Sequence, residues 1–157
     1  MYLVDGNIST TAYEDFPAGV MAGVRATVPS GEADLTAFNE SLLEVDPDLT
    51  DFAYGAQSYD ATMLIALAAE AAGCADGVAI AAALPDVAGN GGEQCSTWAD
   101  CKALLDAGTD IDFQGVTGPV DFNEYGDPAE GTIQVNEYTS NTDFGELYKV
   151  TATVPTP

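Results

Sequence analysis

Histidine is absent from this 157-residue chain, and bases are nearly absent: Arg25, Lys102 and Lys149 face 26 acids, for a net charge of −23. Neutralising phosphates takes several lysines or arginines, so nucleic acid is excluded as a partner, and anionic membrane surfaces are disfavoured on the same ground. There is no Gly-x-Ser-x-Gly elbow, no Gly-x-x-x-x-Gly-Lys loop and no thiol beside a base. Carboxylates are so numerous that no pair stands out as acid and base, and the chain reads as a non-enzyme with no cofactor. No stretch approaches the about 20 apolar residues that span a bilayer. No charged-then-apolar leader follows Met1, and no internal repeat is visible.

What is present is a globular composition, 46% hydrophobic, enough for one domain with its own core rather than an acidic disordered tail. The acidity reads as a solvated, self-repelling surface suited to a salty exterior, since salt screens such repulsion within about 8 Å at physiological strength. A cation-collecting surface is the alternative. The chain opens on Tyr2-Leu3-Val4, a strand-like run with nothing before it, which suggests a fragment of a longer protein.

Of the three cysteines, Cys95 and Cys101 bracket a short loop leading into a helix. A disulfide there would stabilise by roughly 2 kcal/mol on the chain-entropy model. Free buried thiols are the alternative, while zinc is disfavoured by the spacing and the lack of histidine. Cys74 is left without a partner.

Periodicity and punctuation predict an α/β chain. Residues 2–4 read as a strand ending in the polar turn Asp5-Gly6-Asn7, and 20–28 as a second strand closed by Pro29-Ser30-Gly31. Leu35, Phe38, Leu42 and Leu43 recur at helical spacing over 34–45, ended by Pro47. Ser58 is expected to cap a helix over 59–72, with Asp60 favourably placed in its first turn and Gly73 as its stop. That helix is apolar nearly all round, which predicts burial. Asp76 should cap a helix through Leu84, stopped by Pro85. The run Asn90-Gly91-Gly92 reads as a flexible loop, and Thr97 with Asp100 as a capping box for a helix ending at Gly108. Residues 132–138 and 144–153 around Ser140-Asn141-Thr142-Asp143 follow hairpin grammar.

Other candidates are weaker. Asp121-x-Asn123-x-Tyr125-Gly126-Asp127 looks like a calcium loop, but Tyr125 and Thr132 hold positions that need an oxygen ligand and a glutamate, so a plain turn is favoured. Trp98 could stack a planar ligand, and Tyr59 could sit at a hinge; packing is the simpler reading of both.

Two motifs carry a family resemblance. The first is the helix opening Tyr59-Asp60-Ala61, followed by Thr62-Met63-Leu64-Ile65-Ala66-Leu67-Ala68-Ala69-Glu70. The second is Gly115-Val116-Thr117-Gly118-Pro119-Val120-Asp121-Phe122-Asn123-Glu124-Tyr125-Gly126-Asp127-Pro128, leading to a final hairpin. Together they resemble the C-terminal portion of type I extracytoplasmic solute-binding proteins, specifically the branched-chain amino acid and amide binders of ABC importers. The resemblance implies a partial type I periplasmic-binding-protein fold. Residues 1–50 would be a lobe-two segment, 51–58 a hinge crossover, 59–114 a lobe-one helical segment, 115–130 a second crossover, and 131–157 the terminal hairpin and tail.

The resemblance also implies capture of a small polar solute, an amino acid or amide, by closure of two lobes, and delivery to an ABC permease from an extracytoplasmic, lipid-anchored position. A sensor or a surface interaction domain would use the same fold. Asp5, followed by Gly6, falls where the family pairs an acid with the ligand ammonium; an Asx turn is the alternative. Tyr54, or Phe52 two residues earlier, falls where the family sets an aromatic against the ligand, with hinge packing as the alternative. Most family contacts to the ligand carboxylate come from a first lobe that the chain would lack, so it would bind poorly alone.

Overall fold

The computed structural model describes residues 1–30, 33–89 and 91–153. Its elements in chain order are β1 (Tyr2–Val4), a 3-10 turn (Asp5–Asn7), β2 (Arg25–Ser30), α1 (Thr36–Val45), α2 (Gly55–Ala72), α3 (Gly77–Ala88), β3 (Glu93–Cys95), α4 (Trp98–Asp106), β4 (Ile111–Gly115), β5 (Gly118–Pro119), β6 (Glu130–Tyr138) and β7 (Phe144–Thr153). The expected α/β class is what these elements build. No single helix among the described residues is long and apolar enough to cross a membrane.

The described residues divide into two compact units, 1–30 with 130–153 and 33–89 with 91–129. Residues 33–50 group with the second unit.

The first unit is a four-stranded sheet ordered β1-β2-β6-β7. β1 runs parallel to β2, while β2–β6 and β6–β7 are antiparallel, with a register shift between Val135 and Asn136. Met21, Val24, Ala26 and Tyr138 form its core, with Leu3, Ile8, Tyr13 and Phe144 packed against them. The hairpin is where the sequence placed it. The strand expected over 20–28 is shorter and later. Gly19 and Gly23 take φ of +81° and +78°, and Val24 N–H closes a turn on the Met21 carbonyl at 2.9 Å. Left-handed glycines end an extended run, so residues 20–24 turn and drop Met21 and Val24 into the core. Gly31 of the expected strand end and residues 154–157 of the expected tail lie outside the described residues.

The second unit packs helices on a small sheet ordered β3-β4-β5, with β3–β4 parallel and β4–β5 antiparallel. Its core joins Met63, Leu64, Leu67 and Ala68 of α2 to Val87 and Ala88, Cys95 and Cys101, and Ile111 and Phe113. Helix α2 begins at Gly55, four residues before the expected start, so Ser58 does not cap it. Helix α1 explains the extension: Phe38 meets the Tyr59 ring at 5.4 Å, and Leu42 lies over Gly55, where an added Cβ would sit 3.2 Å from its Cδ1. Gly73 ends α2 with φ +65°, as expected.

Asp76 caps α3 through bonds from Val78 N–H and Ala79 N–H, both 3.1 Å. Pro85 does not stop this helix, which runs through it to Ala88. A proline removes one ladder bond; burying Val87 and Ala88 in the core offsets that loss. Thr97 caps α4 as expected, with Asp100 N–H donating to Thr97 Oγ1 at 3.2 Å; the Asp100 carboxylate answers by accepting from the Thr97 hydroxyl at 2.7 Å, which is half of the expected capping box. Cys95 and Cys101 are disulfide-bonded, tying β3 to α4, whereas Cys74 is free and exposed. Asn90 of the expected flexible loop lies outside the described residues.

Candidate functional site

Two of the residues singled out for ligand contact share an unusual backbone. Among the described residues, Asp5 (φ +35°) and Tyr54 (φ +61°) are the non-glycine positions with positive φ. That region is uncommon for any L-residue and an outlier for a bulky one. Such strain costs of order 1–3 kcal/mol and persists where surrounding structure enforces it, often at functional sites.

Asp5 directly follows β1 and opens the 3-10 turn, whose carbonyl accepts Ile8 N–H at 2.9 Å. Its side chain is half-buried, and Oδ1 is buried without a hydrogen-bond partner. A buried carboxylate oxygen without a donor is costly, so this geometry favours any donor that can reach it. Gly6 beside it is exposed, and a Cβ there would meet nothing within 4 Å. The turn is held from below: Tyr13 Oη donates to the Asn7 carbonyl at 2.5 Å, and Tyr138 Oη exchanges bonds with Ser9, accepting from its N–H at 2.8 Å and donating to its carbonyl at 2.9 Å. Burial pushes the Tyr138 phenol up from its ordinary value, against the opposing pull of the Ser9 backbone bond.

Tyr54 belongs to the second unit. It is the residue before α2, 44% exposed, and its carbonyl accepts Ser58 N–H at 2.9 Å. Phe52, the other aromatic considered, is half-buried, and its carbonyl accepts Gly55 N–H at 3.1 Å. Asp5 with Gly6 and Tyr54 therefore sit on different units, each at the edge of an element.

Sequence reasoning missed Asp60. The pattern makes it a first-turn acid of a helix beginning at Tyr59, but α2 starts earlier and Asp60 is 3% exposed in the helix interior. Its carboxylate accepts Val116 N–H at 2.8 Å, Thr117 N–H at 2.9 Å and Thr117 Oγ1–H at 2.6 Å. Gly115 is required by proximity, since a Cβ there would fall 2.5 Å from Asp60 Oδ2. The two motifs that carried the family resemblance are thus one structural object. A signal was available: Asp60 lies on the buried stripe with Met63, Leu64 and Leu67, and a charge on such a stripe needs partners.

After Thr117, Gly118 and Pro119 pair with β4, Val120 and Phe122 pack on the core of the second unit, and the stretch from Asp121 to Ala129 closes on itself. Asn123 Oδ1 accepts from Tyr125 N–H at 2.9 Å and Asp127 N–H at 3.0 Å, and Ala129 N–H reaches the Asp121 carbonyl at 2.8 Å. That is turn geometry. Among the described residues no group of three or more acidic or cysteine side chains is arranged to hold a metal ion.

An open cleft of about 420 Å³ in the second unit is lined by Glu70, Asp86, Leu105, Asp106 and Asp110, among others. Lys102 Nζ bridges Glu70 Oε1 at 2.9 Å and Asp106 Oδ1 at 2.7 Å, and these bonds, Asp106 foremost, raise its pKa. Neither Asp5 nor Tyr54 lines that cleft. Trp98 opens α4 at 39% exposure.

Residues 7–141 match the family described as "Receptor family ligand binding region". Comparison with curated proteins and with solved structures gives no match.

Proposed function

The chain belongs to the receptor family of ligand-binding regions, a family of extracytoplasmic, non-enzymatic domains that bind small molecules, and from that premise we infer that it captures a small polar solute, an amino acid or amide, for an ABC permease. Two-lobe closure around the solute is the mechanism, a population shift driven by contacts made only in the closed state. Asp5 takes the solute ammonium, with Gly6 leaving room beside it, and Tyr54 lies against the solute side chain. The observation that carries this reading is the buried, unpartnered Oδ1 of Asp5 at the end of β1, on a strained backbone. An ammonium entering a closed cleft needs a counter-charge, and this oxygen needs a donor.

The family description, which speaks of receptors, favours a second reading: the same closure reports solute to a signalling partner instead of a permease. Both readings share the binding step. They part on whether the protein supports uptake of the solute or a response to it.

Calorimetric titration of amino acids and small amides into the protein that carries this chain tests the binding step. Changing Asp5→Ala should weaken binding by about 2–5 kcal/mol, because the ligand cation loses its counter-charge. Tyr54→Ala should cost less and shift preference among side chains. Equal affinity in parent and Asp5→Ala protein would remove Asp5 from the site.

A further inference from the structure

The four-stranded sheet of the first unit has two faces. Side chains alternate along a strand, so Ala26 and Tyr138 fall on the side where Met21, Val24 and Leu3 pack. The opposite parity lines up on the other face. Val4, Thr27, Val135 and Tyr148 are register partners across all four strands, and Pro29, Ile133 and Val150 follow two residues along. Tyr2 joins the same face beside Arg25. Among these, Tyr2, Val4, Ile133, Tyr148 and Val150 are 42–72% exposed. A single exposed apolar residue needs no explanation, whereas rows of them across a sheet mark a contact surface. β1 and β2 also run parallel, an arrangement found with both faces of the sheet covered.

Charge decides what fits there. The chain carries −23, yet among the described strand residues this face holds one acid, Glu137, and Arg25 neutralises it at 3.1 Å. The first unit has seven of the 26 acids and two of the three bases, Arg25 and Lys149. A basic partner would be drawn to the acid-rich second unit, and an acidic one would find Arg25 already paired. A flat, neutral, apolar face complements itself. Two copies meeting on the acidic surface would set like charges together, and meeting here they do not.

We propose that this outer face is where a second copy of the chain docks, sheet against sheet across a two-fold axis. Paired sheets pack about 10 Å apart with strands within about 30° of each other. That spacing lets Ile133, Tyr148 and Val150 interdigitate with their counterparts. The contact is isologous, apolar at its middle and bounded at one end by the Arg25–Glu137 pair. It is independent of the solute reading.

Sedimentation velocity over a concentration series, without solute, tests it. The protein should form a dimer, and molar salt should tighten that dimer about tenfold by screening the charge of the two copies. Ile133→Asp sets an unpaired acid in the contact and should weaken association about a hundredfold, with the melt of dilute protein unchanged. Val78→Asp, at an exposed site of the second unit, should leave association as it is. Mixing Ile133→Asp with Ile133→Lys protein should restore a dimer of one copy of each, an outcome that requires the face to meet itself.

A monomer at every concentration and salt level would overturn the proposal, as would a dimer indifferent to Ile133→Asp. If Ile133→Asp fails to fold, Val150→Ser decides. Association weakened about tenfold with an unchanged melt supports the dimer. Unaltered association, with or without a lowered melt, overturns it and hands the face to another segment or partner.

Discussion

The two units solve the same problem with different means. The first, a sheet with four buried core residues, relies on polar stitches: the Tyr138–Ser9 exchange, and Asn141, which accepts from Met21 N–H at 3.2 Å and donates to the Phe16 and Pro17 carbonyls at 2.9 and 3.2 Å. The second buries ten core residues, closes a disulfide and fastens one loop by a carboxylate. Charge divides unevenly as well. Residues 32–129 hold 19 acids and Lys102, while the rest of the chain holds seven acids with Arg25 and Lys149. A small sheet cannot bury enough apolar surface to dispense with specific polar bonds. A larger helical core can, and so tolerates a dense charge on its surface.

Removing one buried group from each unit puts that contrast to the test. The largest effect should come from Asp60→Ala, which leaves Val116 N–H, Thr117 N–H and Thr117 Oγ1 without their acceptor. A loss of about 3–5 kcal/mol is expected in a urea melt. A loss under 1 kcal/mol would mean that water replaces the carboxylate freely.

Reducing Cys95–Cys101 should cost roughly 2 kcal/mol, given its short loop. Unreduced protein should show these two linked by mass spectrometry. Cys74, exposed at the C-terminal end of α2, should alkylate without unfolding. Both ring-closing cysteines alkylating without reductant would contradict the bond.

In the first unit, Tyr138→Phe leaves the Ser9 N–H and carbonyl without their phenol partner. About 1–2 kcal/mol should go, seen in a thermal melt. Because the folded pKa of Tyr138 is raised, its contribution is intact below the ordinary phenol value of 10.0 and is lost as pH rises through the folded value. Parent protein should lose stability on that alkaline limb, and Tyr138→Phe should lack this component. Identical alkaline limbs would show that the phenol reaches solvent.

Salt should have the smallest effect. Screening should raise the melting temperature, and hydrogen exchange should slow more in the second unit, where the acids are dense. Equal slowing in both units would mean that their charge difference does not govern stability.

The sequence by itself determined the α/β class, the final hairpin, the caps at Asp76 and Thr97, the stop at Gly73 and the spacing of Cys95 and Cys101. Each depends on neighbours a few residues apart, where turn chemistry, periodicity and loop length act locally. It also marked Asp5 and Tyr54, whose strained backbone and, for Asp5, unpartnered oxygen show only in three dimensions. Tertiary structure decided the rest. Packing by Phe38 and Leu42 drew the start of α2 back to Gly55, and the core held α3 helical through Pro85. Two left-handed glycines turned the first part of an expected strand into a corner that buries Met21 and Val24. Above all it decided Asp60, whose partners lie 56 and 57 residues away: local rules offer a helix-dipole acid, and only the folded chain brings it the donors that make it a buried lock.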